Sequence, residues 1–300
     1  MTLRAGEVAV VGRPNAGKST LVNRMVGEKV AIVSDKPQTT RKRILGIARR
    51  PRTELALVDT PGIHRPEHRM NTAMVRDATD ALEHADLVLF VVDAAARPGS
   101  GEDFIIRLLA RAGTPAILAL NKIDLVPKAK LLPGMEALAQ KHAFRAIVPV
   151  SARTGDGVEH LVDVLAANVP EGDAAYPEDF LTSTSESEWI AEVIREKLLE
   201  RTRQELPFVS AVVVEGVREE TERNLTVVTA SIVVEREGQK GIVVGKGGAM
   251  IRDIGTAARE ELEAESGRRY FLELTVRVRT DWRDDEQFLS RIVEPPADRR

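Results

Sequence analysis

Gly12-Arg13-Pro14-Asn15-Ala16-Gly17-Lys18-Ser19-Thr20 decides how this chain is read. It follows the apolar run Val8-Ala9-Val10-Val11 and leads into Leu21, Val22, Met25 and Val26, apolar positions at helical spacing. The order is therefore strand, glycine loop, helix. Glycines at 12 and 17 followed by Lys18 and Ser19 have the spacing of a phosphate-cradling loop. There, consecutive backbone N–H groups and a helix N-terminus wrap an anion that side chains alone would surround poorly. Lys18 is expected to reach the β- and γ-phosphates as a point charge, and the Ser19 hydroxyl to be one ligand of an octahedral Mg2+. An ordinary glycine-rich turn would need neither the strand before it nor the helix after it.

The 300 residues suggest about two domains, and 43% hydrophobic with 30% charged residues is ordinary for a globular protein. No apolar run is long enough to span a bilayer and no charged-then-apolar leader opens the chain, so a cytoplasmic location is expected. The absence of cysteine excludes disulfides, thiolate metal sites and thiol nucleophiles. Five histidines (64, 68, 84, 142 and 160) show no ligand-like clustering and read as surface residues. The net charge of -3 conceals a split: residues 1–180 carry 24 Lys/Arg against 22 Asp/Glu, and residues 181–300 carry 19 against 24. The second half is net acidic, so any claim of nucleic-acid binding there rests on local placement of charge.

Runs of strand length occur at Glu7–Val11, Ile44–Ala48, Leu55–Asp59, Leu87–Asp93, Ala116–Asn121 and Ala146–Ser151, most of them separated by segments of helical period. Alternation of this kind predicts an α/β fold with a mostly parallel sheet covered on both faces, its ligands beyond the carboxyl ends of the strands. The polar loop Lys36-Pro37-Gln38-Thr39-Thr40-Arg41 offers a threonine to a Mg2+ shell, or is a solvated connection. Leu55-Ala56-Leu57-Val58-Asp59-Thr60-Pro61-Gly62 delivers an acid and then breaks sharply; Asp59 would hold Mg2+ through a water and the Gly62 N–H would sense a γ-phosphate. Asn121-Lys122-Ile123-Asp124 again lies at a strand end. An ionised carboxylate only accepts hydrogen bonds, so Asp124 suits the N1–H and exocyclic amino group of guanine, where adenine offers an acceptor and no amino group. Ser151-Ala152 would bring a backbone N–H to guanine O6.

In order and spacing, Gly12–Ser19, Thr39/Thr40, Asp59–Gly62, Asn121–Asp124 and Ser151-Ala152 resemble the translation-factor-related class of P-loop GTPases, over roughly residues 5–170. The resemblance implies binding of GTP and GDP with Mg2+, and hydrolysis to GDP and phosphate. It implies a nucleotide site of Gly12, Arg13, Pro14, Asn15, Ala16, Gly17, Lys18, Ser19, Thr20, Asp59, Gly62, Asn121, Lys122, Asp124, Ser151 and Ala152, with Ser19, Thr40 and Asp59 on the metal. Lys18, Thr40, Gly62 and Asn15 are the residues it places in catalysis. Many such GTPases have a water-orienting glutamine after this glycine, but here the residue is Ile63, so intrinsic hydrolysis is expected to be slow. Asn15 matches the asparagine that in a subset helps bind K+, and a K+ ion there is the expected substitute for an arginine finger; a mere turn cap is the alternative.

Val169-Pro170-Glu171-Gly172-Asp173 and the residues to Asp179 show no period and read as a linker. A first domain over 1–172, a linker over 173–181 and a second domain over 182–293 follow. Ser185-Glu186-Ser187-Glu188 is a capping box ahead of Ile190, Val193, Ile194 and Leu198. Strand-like runs at Phe208–Val214 and Leu225–Val234, a helix, Gly245-Lys246-Gly247-Gly248, a helix to about Glu265 and a strand Tyr270–Arg279 complete the order. This resembles a type II KH domain, whose GxxG loop clamps about four nucleotides. Gly245, Lys246, Gly247 and Gly248, with Ile242, Val243, Ile251 and Arg252, are the expected RNA-binding residues; a tight turn between two helices is the other reading. The tail from Asp281 to Leu289 predicts a short helix with Trp282, Phe288, Leu289 and Ile292 packed inward.

Together with the tail Asp281-Trp282-Arg283-Asp284-Asp285-Glu286, this pairing resembles the Era-type bacterial GTPases over nearly the whole chain. That resemblance implies binding to the 3′ end of 16S rRNA, a role in 30S subunit assembly and a place in part at the cell membrane surface; with no obligate protein partner evident, a monomer is expected. A GTPase switch whose second domain binds a protein or membrane partner, and a passive RNA-binding assembly protein, are the alternatives.

Overall fold

A computed structural model describes residues 3–36, 38–63, 69–97, 99–290 and 292; Pro37, His64 and His68 fall outside them. The chain divides into two compact units between Ser183 and Thr184.

The first unit contains β1 (Arg4–Gly12), α1 (Lys18–Val26), β2 (Ile44–Arg50), β3 (Thr53–Asp59), α2 (Arg69–His84), β4 (Leu87–Asp93), α3 (Ser100–Ala112), β5 (Ala116–Asn121), α4 (Leu131–Ala139), β6 (Ala146–Pro149) and α5 (Val158–Asn168). Its sheet runs β2-β3-β1-β4-β5-β6. Every neighbouring pair is parallel except β2 with β3, which a two-residue turn joins as an antiparallel hairpin. The unbroken apolar run of β1 is explained by burial on both faces. Val8 and Val10 pack with Leu21, Met25 and Leu161 on one side, and Ala9 and Val11 pack with Leu82, Phe90 and Leu109 on the other. Register places Asp59 beside Val10, Val91 beside Gly12 and Asn121 beside Asp93, so the polar strand ends lie along one edge of the sheet.

Past α5 the chain does not run free. Gly172 donates to the Leu3 carbonyl, Ile47 donates to the Leu181 carbonyl, and Gly46 bridges Thr182 in antiparallel fashion. The aperiodic stretch read as a linker is thus hydrogen-bonded to the first unit as far as Ser183. A segment without internal period satisfies its backbone on a neighbouring strand, which local sequence does not reveal.

The second unit contains α6 (Glu186–Arg201), α7 (Leu206–Val209), β7 (Ala211–Glu220), β8 (Leu225–Val234), α8 (Glu237–Val244), α9 (Ala249–Ser266), β9 (Arg269–Val278) and α10 (Glu286–Leu289). The capping box is present: Ser185 accepts from the Glu188 N–H while Glu188 accepts from the Ser185 N–H. The run expected to be a strand from Phe208 instead turns through α7, because Pro207 in its first turn gives up an N–H that a helix start does not use. The sheet β7-β8-β9 pairs β7 antiparallel and β9 parallel to β8, with the apolar faces of α6, α8 and α9 over one side. Trp282, Phe288 and Leu289 are buried as expected, and the Trp282 indole donates to the Val209 carbonyl. Among the described residues no helix is long and apolar enough to cross a membrane.

Candidate nucleotide and nucleic-acid sites

Gly17, at a φ of 91°, ends the loop after β1 and starts α1, leaving the first N–H groups of the helix facing outward. A side chain at Gly17 would run into the Asn121 amide and one at Gly12 into the Val91 carbonyl, so both glycines are required by space. Before the loop lies a cavity of about 460 Å³ lined in part by Asn15, Lys18, Ser19, Thr40, Gly62 and Lys122. Lys18 is buried, and its Nζ donates to the carbonyls of Gly12 at 3.5 Å and Arg13 at 3.3 Å. Burial holds its pKa below that of an ordinary lysine, against the opposing pull of Asp59.

Three oxygen-bearing side chains meet here, Ser19 and Thr40 lining the cavity and Asp59 buried against them. Ser19 Oγ donates to Asp59 Oδ2 at 2.6 Å and lies 2.8 Å from Thr40 Oγ1, which itself donates to Asp59 Oδ2 at 3.3 Å. Asp59 is wholly buried, and its Oδ1 has no hydrogen-bond partner. Burial raises its pKa, with Lys18 and the two hydroxyls pulling the other way. An ionised carboxylate in such a place is costly unless a cation is near, and an all-oxygen set of hydroxyls and carboxylate suits a hard ion such as Mg2+. Of the two threonines, the structure gathers Thr40 here, while the Thr39 hydroxyl donates to the Lys36 carbonyl.

Asn121 is the hub of the side expected to take the base. Its Nδ2 donates to the Ala16 carbonyl at 2.8 Å and its Oδ1 accepts from the Ala152 N–H at 2.9 Å, tying the phosphate loop to the loop after β6. The Ala152 N–H expected to face guanine O6 therefore already has a partner. Lys122 donates to the Asn15 carbonyl and to Asp93 Oδ2 at 2.6 Å. Asp124 accepts from Ser151 Oγ and from Arg153 Nη2, each at 2.6 Å. The Ser151 bond, aided by Arg153, holds the Asp124 carboxyl below the usual carboxylate range, so it stays an acceptor. The sequence reading passed over Asp93, Arg153, Asn23 and Arg24. Asn23 Oδ1 accepts from the N–H groups of Val30 and Ala31, and Arg24 donates to the carbonyls of Ala152 and Arg153. No motif announces these two, because they act only through the backbone of loops distant in sequence.

Asn15 Nδ2 donates to the Asp35 carbonyl at 2.6 Å, bringing a side-chain amide and a carbonyl oxygen together at the mouth of the cavity. Arg13 does not line the cavity, and its side chain pairs with the buried Glu102 at 3.0 Å. Ile63 donates its N–H to the Gly12 carbonyl and buries its side chain in the cluster of Val11 and Phe90. Position 63 is therefore a core position.

In the second unit, Gly245, Gly247 and Gly248 all have positive φ. A Cβ at Gly245 would lie 2.7 Å from Met250 Cβ, whereas one at Gly247 would face open space and one at Gly248 would meet only Arg252 Nε, at 3.9 Å. Arg252 donates to the carbonyls of Gly247 and Gly248, bracing the loop. Beside it runs a groove of about 270 Å³ lined by Ile251, Arg252, Gly255 and Arg259 of α9 and by Phe271 and Leu274 of β9, among others. Ile242 is half exposed, but Val243 is fully buried in the core and belongs to packing, not to an RNA-facing wall: it is on the inner side of α8. Phe271, 52% exposed, was missed. The signal was there, since Tyr270, Leu272, Leu274 and Val276 form the inward set and Phe271 is the one aromatic among Glu273, Thr275 and Arg277. Four acidic residues of α9 are engaged within the unit, Asp253 with Arg201, Glu261 with Lys197, Glu263 with Arg259 and Glu265 with Trp189.

The family described as 50S ribosome-binding GTPase matches residues 7–122, and the KH domain family matches residues 209–283. GTPase Era of Geobacter metallireducens is 48% identical over 289 residues, covering 96% of this chain and 97% of that one. GTPase Era of Heliobacterium modesticaldum is 44% identical, covering 94% of each. Among solved structures, an Aquifex aeolicus Era variant bound to GDP and aluminium fluoride superposes with a TM-score of 0.93 at 37% identity, over 97% of this chain and 99% of that one. Era in complex with MgGDPNP and nucleotides 1506–1542 of 16S ribosomal RNA superposes equally well, over 97% and 98%. Likeness that runs through both units, at such identity and over such lengths, places the chain in one family: it belongs to the Era family of GTPases.

Proposed function

We propose that this protein is a GTP-gated RNA clamp: it binds and hydrolyses GTP in the first unit, and the nucleotide state sets how the second unit takes up RNA. The observation that carries the reading is the meeting of Ser19, Thr40 and Asp59 at the phosphate cradle with Asp59 Oδ1 unserved. These three would hold Mg2+, which when bound offsets charge on the β- and γ-phosphates. The backbone from Gly12 to Thr20 cradles the phosphates, and Lys18 exchanges two carbonyl partners for phosphate oxygens. Asn121, Lys122, Asp124, Ser151 and Ala152 take the guanine. Thr40 and Gly62 sit on the two loops that a γ-phosphate would draw together. Ile63 has no polar group and is buried, so it orients no water; K+ would supply charge at the transition state, held by the Asn15 amide oxygen and the Asp35 carbonyl once that carbonyl gives up its bond from Asn15 Nδ2.

The RNA is held in the groove between α9 and β9, with the loop 245–248 on its backbone and Phe271 as a stacking face. By likeness to the relative solved with 16S ribosomal RNA, its target is the 3′ region of that RNA and its role is in 30S assembly. Contact with an anionic membrane surface, as a monomer, belongs to the same reading; exposed Leu125 and Leu132 beside Lys128 and Lys130 are the groups that could make it.

GTP turnover measured in KCl and in NaCl, with and without an RNA copying the 3′ end of 16S rRNA, tests the proposal. Faster turnover in KCl and a further rise with RNA are expected. The control is Lys246→Glu with Gly248→Asp, because Gly245 is needed for packing and its replacement would damage the fold. Equal turnover in both salts removes the K+ role, and no response to RNA removes the gate.

A further inference from the structure

From the way residues 171–183 lie along the first unit we infer that they form a nucleotide-sensitive strap, held on the outer edge of β2 when the two loops at the phosphates are in one state and loosened in the other. The inference rests on the gated reading above and names the element that would carry the gate. β2 is an edge strand, and its unpaired backbone is covered by the chain itself. Ile47 donates to the Leu181 carbonyl at 2.9 Å, Ser183 donates to the Leu45 carbonyl at 3.4 Å, and Gly46 bridges Thr182. Two side chains of the hairpin clamp the rest. Glu54 on β3, 4% exposed, accepts from the N–H groups of Ala175 at 2.8 Å and Tyr176 at 3.3 Å. Arg49 on β2 donates to the carbonyls of Pro177 at 2.6 Å and Phe180 at 2.7 Å, and pairs with Glu54 at 3.2 Å. Tyr176 and Phe180 stack at 5.1 Å, closing the turn between the clamped residues.

Position makes the strap a transmitter. β2 begins at Ile44, four residues after Thr40, and Ile44 is paired in register with Asp59. The hairpin therefore starts with the threonine loop entering one strand and the metal-binding carboxylate leaving the other. The next residue, Leu45, already holds Ser183. Any shift of Thr40 relative to Asp59 displaces the first rung of β2 against β3, and the Leu45 and Ile47 bonds to the strap are the next to feel it. At its far end the strap stops at Ser183, two residues before the Ser185 cap that fixes the start of α6. Glu54 gives the device two discrete states: a buried carboxylate served by two strap N–H groups cannot lose them gradually without cost, so the strap is on or off.

Hydrogen exchange of the full chain, read on peptides covering 44–50 and 171–184 with Mg2+ and either GDP or a non-hydrolysable GTP analogue, is the test. We expect exchange in both segments to differ several-fold between the nucleotides, and the difference to shrink in Arg49→Ala, whose side chain is partly exposed, and in Glu54→Gln. In parallel, the ratio of affinities for the 16S rRNA 3′-end oligonucleotide with the two nucleotides should fall toward one in both variants, while GDP affinity stays within about twofold. Identical exchange in the two nucleotide states overturns the strap whatever the RNA does. Exchange that differs while the variants keep the full RNA ratio overturns it as the carrier of the gate. If the unaltered protein shows no nucleotide effect on RNA affinity, the gate itself falls, and the exchange result alone still judges whether the strap responds.

Discussion

Asn121→Asp should convert nucleotide binding into a pH-dependent property. Asn121 donates to the Ala16 carbonyl at 2.8 Å and accepts from the Ala152 N–H at 2.9 Å, with 1% of its surface exposed. Aspartate keeps the acceptor. It loses the donor, and when ionised sets a carboxylate oxygen against a carbonyl oxygen in a buried place. Leaving such a group unserved costs about 1–3 kcal/mol, more when charged, which at 1.4 kcal/mol per tenfold is roughly 5- to 150-fold in affinity. Protonation restores a donor to Ala16, so the folded, ligand-ready state favours the neutral acid and raises its pKa above that of an unfolded aspartate. The sign follows: the penalty is full above the raised pKa, shrinks as pH falls through it, and vanishes below the ordinary carboxylate value. GDP affinity of the variant, titrated by fluorescence from about pH 8 to about pH 5, should therefore improve on acidification relative to the unaltered protein. Asn121→Ala, which loses both bonds and cannot titrate, should bind weakly at every pH. A variant aspartate protein that binds as tightly as the original, or whose deficit does not change with pH, would refute the reasoning.

Asn23→Ala, which frees the entry to the loop carrying Thr40, should lower kcat about tenfold with little change in KM. Arg24→Ala, which frees the Ala152 and Arg153 carbonyls, should raise KM a few-fold with kcat unchanged, and Arg24→Lys should rescue part of it; steady-state kinetics on both separates the roles. Gly62→Ala would place a Cβ 2.7 Å from Pro14 N and 2.8 Å from its Cα. At about 1–3 kcal/mol for overpacking, single-turnover hydrolysis should slow roughly tenfold or more while GDP affinity is kept. Phe271→Ala should weaken binding of the rRNA oligonucleotide by about 1–3 kcal/mol and leave the melting temperature in place, since the ring is largely exposed. Ile63→Gln, often the water-orienting residue type, should gain no turnover and lower stability by about 1–3 kcal/mol in a denaturant melt, because the side chain enters the cluster of Val11 and Phe90.

The legible and the hidden parts of this molecule differ in the range of the interactions that make them. The alternation of strands and helices in the first unit, the glycine loop and the capping box at Ser185 are set by period and by residues adjacent in sequence, and were readable, whereas the strand order was not. Also readable was the family of strand-end polar residues, because parallel strands deliver their carboxyl ends to one edge whatever their order. What stayed hidden acts across long separations through backbone groups: Asn23 on residues 30 and 31, Arg24 on residues 152 and 153, and above all Glu54 and Arg49 on residues 175 to 180. Val243 shows the converse error, where a helix of eight residues carries one inward and one outward apolar side chain at adjacent positions and only packing decides which is which. The stretch after α5 is the most instructive case. Prolines, a glycine and no period are what a free linker looks like, and also what a segment looks like when its backbone partners lie on another strand and its own side chains need no repeating face. Absence of period is evidence about a segment's own faces and says nothing of whether its N–H and C=O groups are served elsewhere. Two aromatic residues at 176 and 180, four apart in a stretch with no core to join, were the available hint that this one is held.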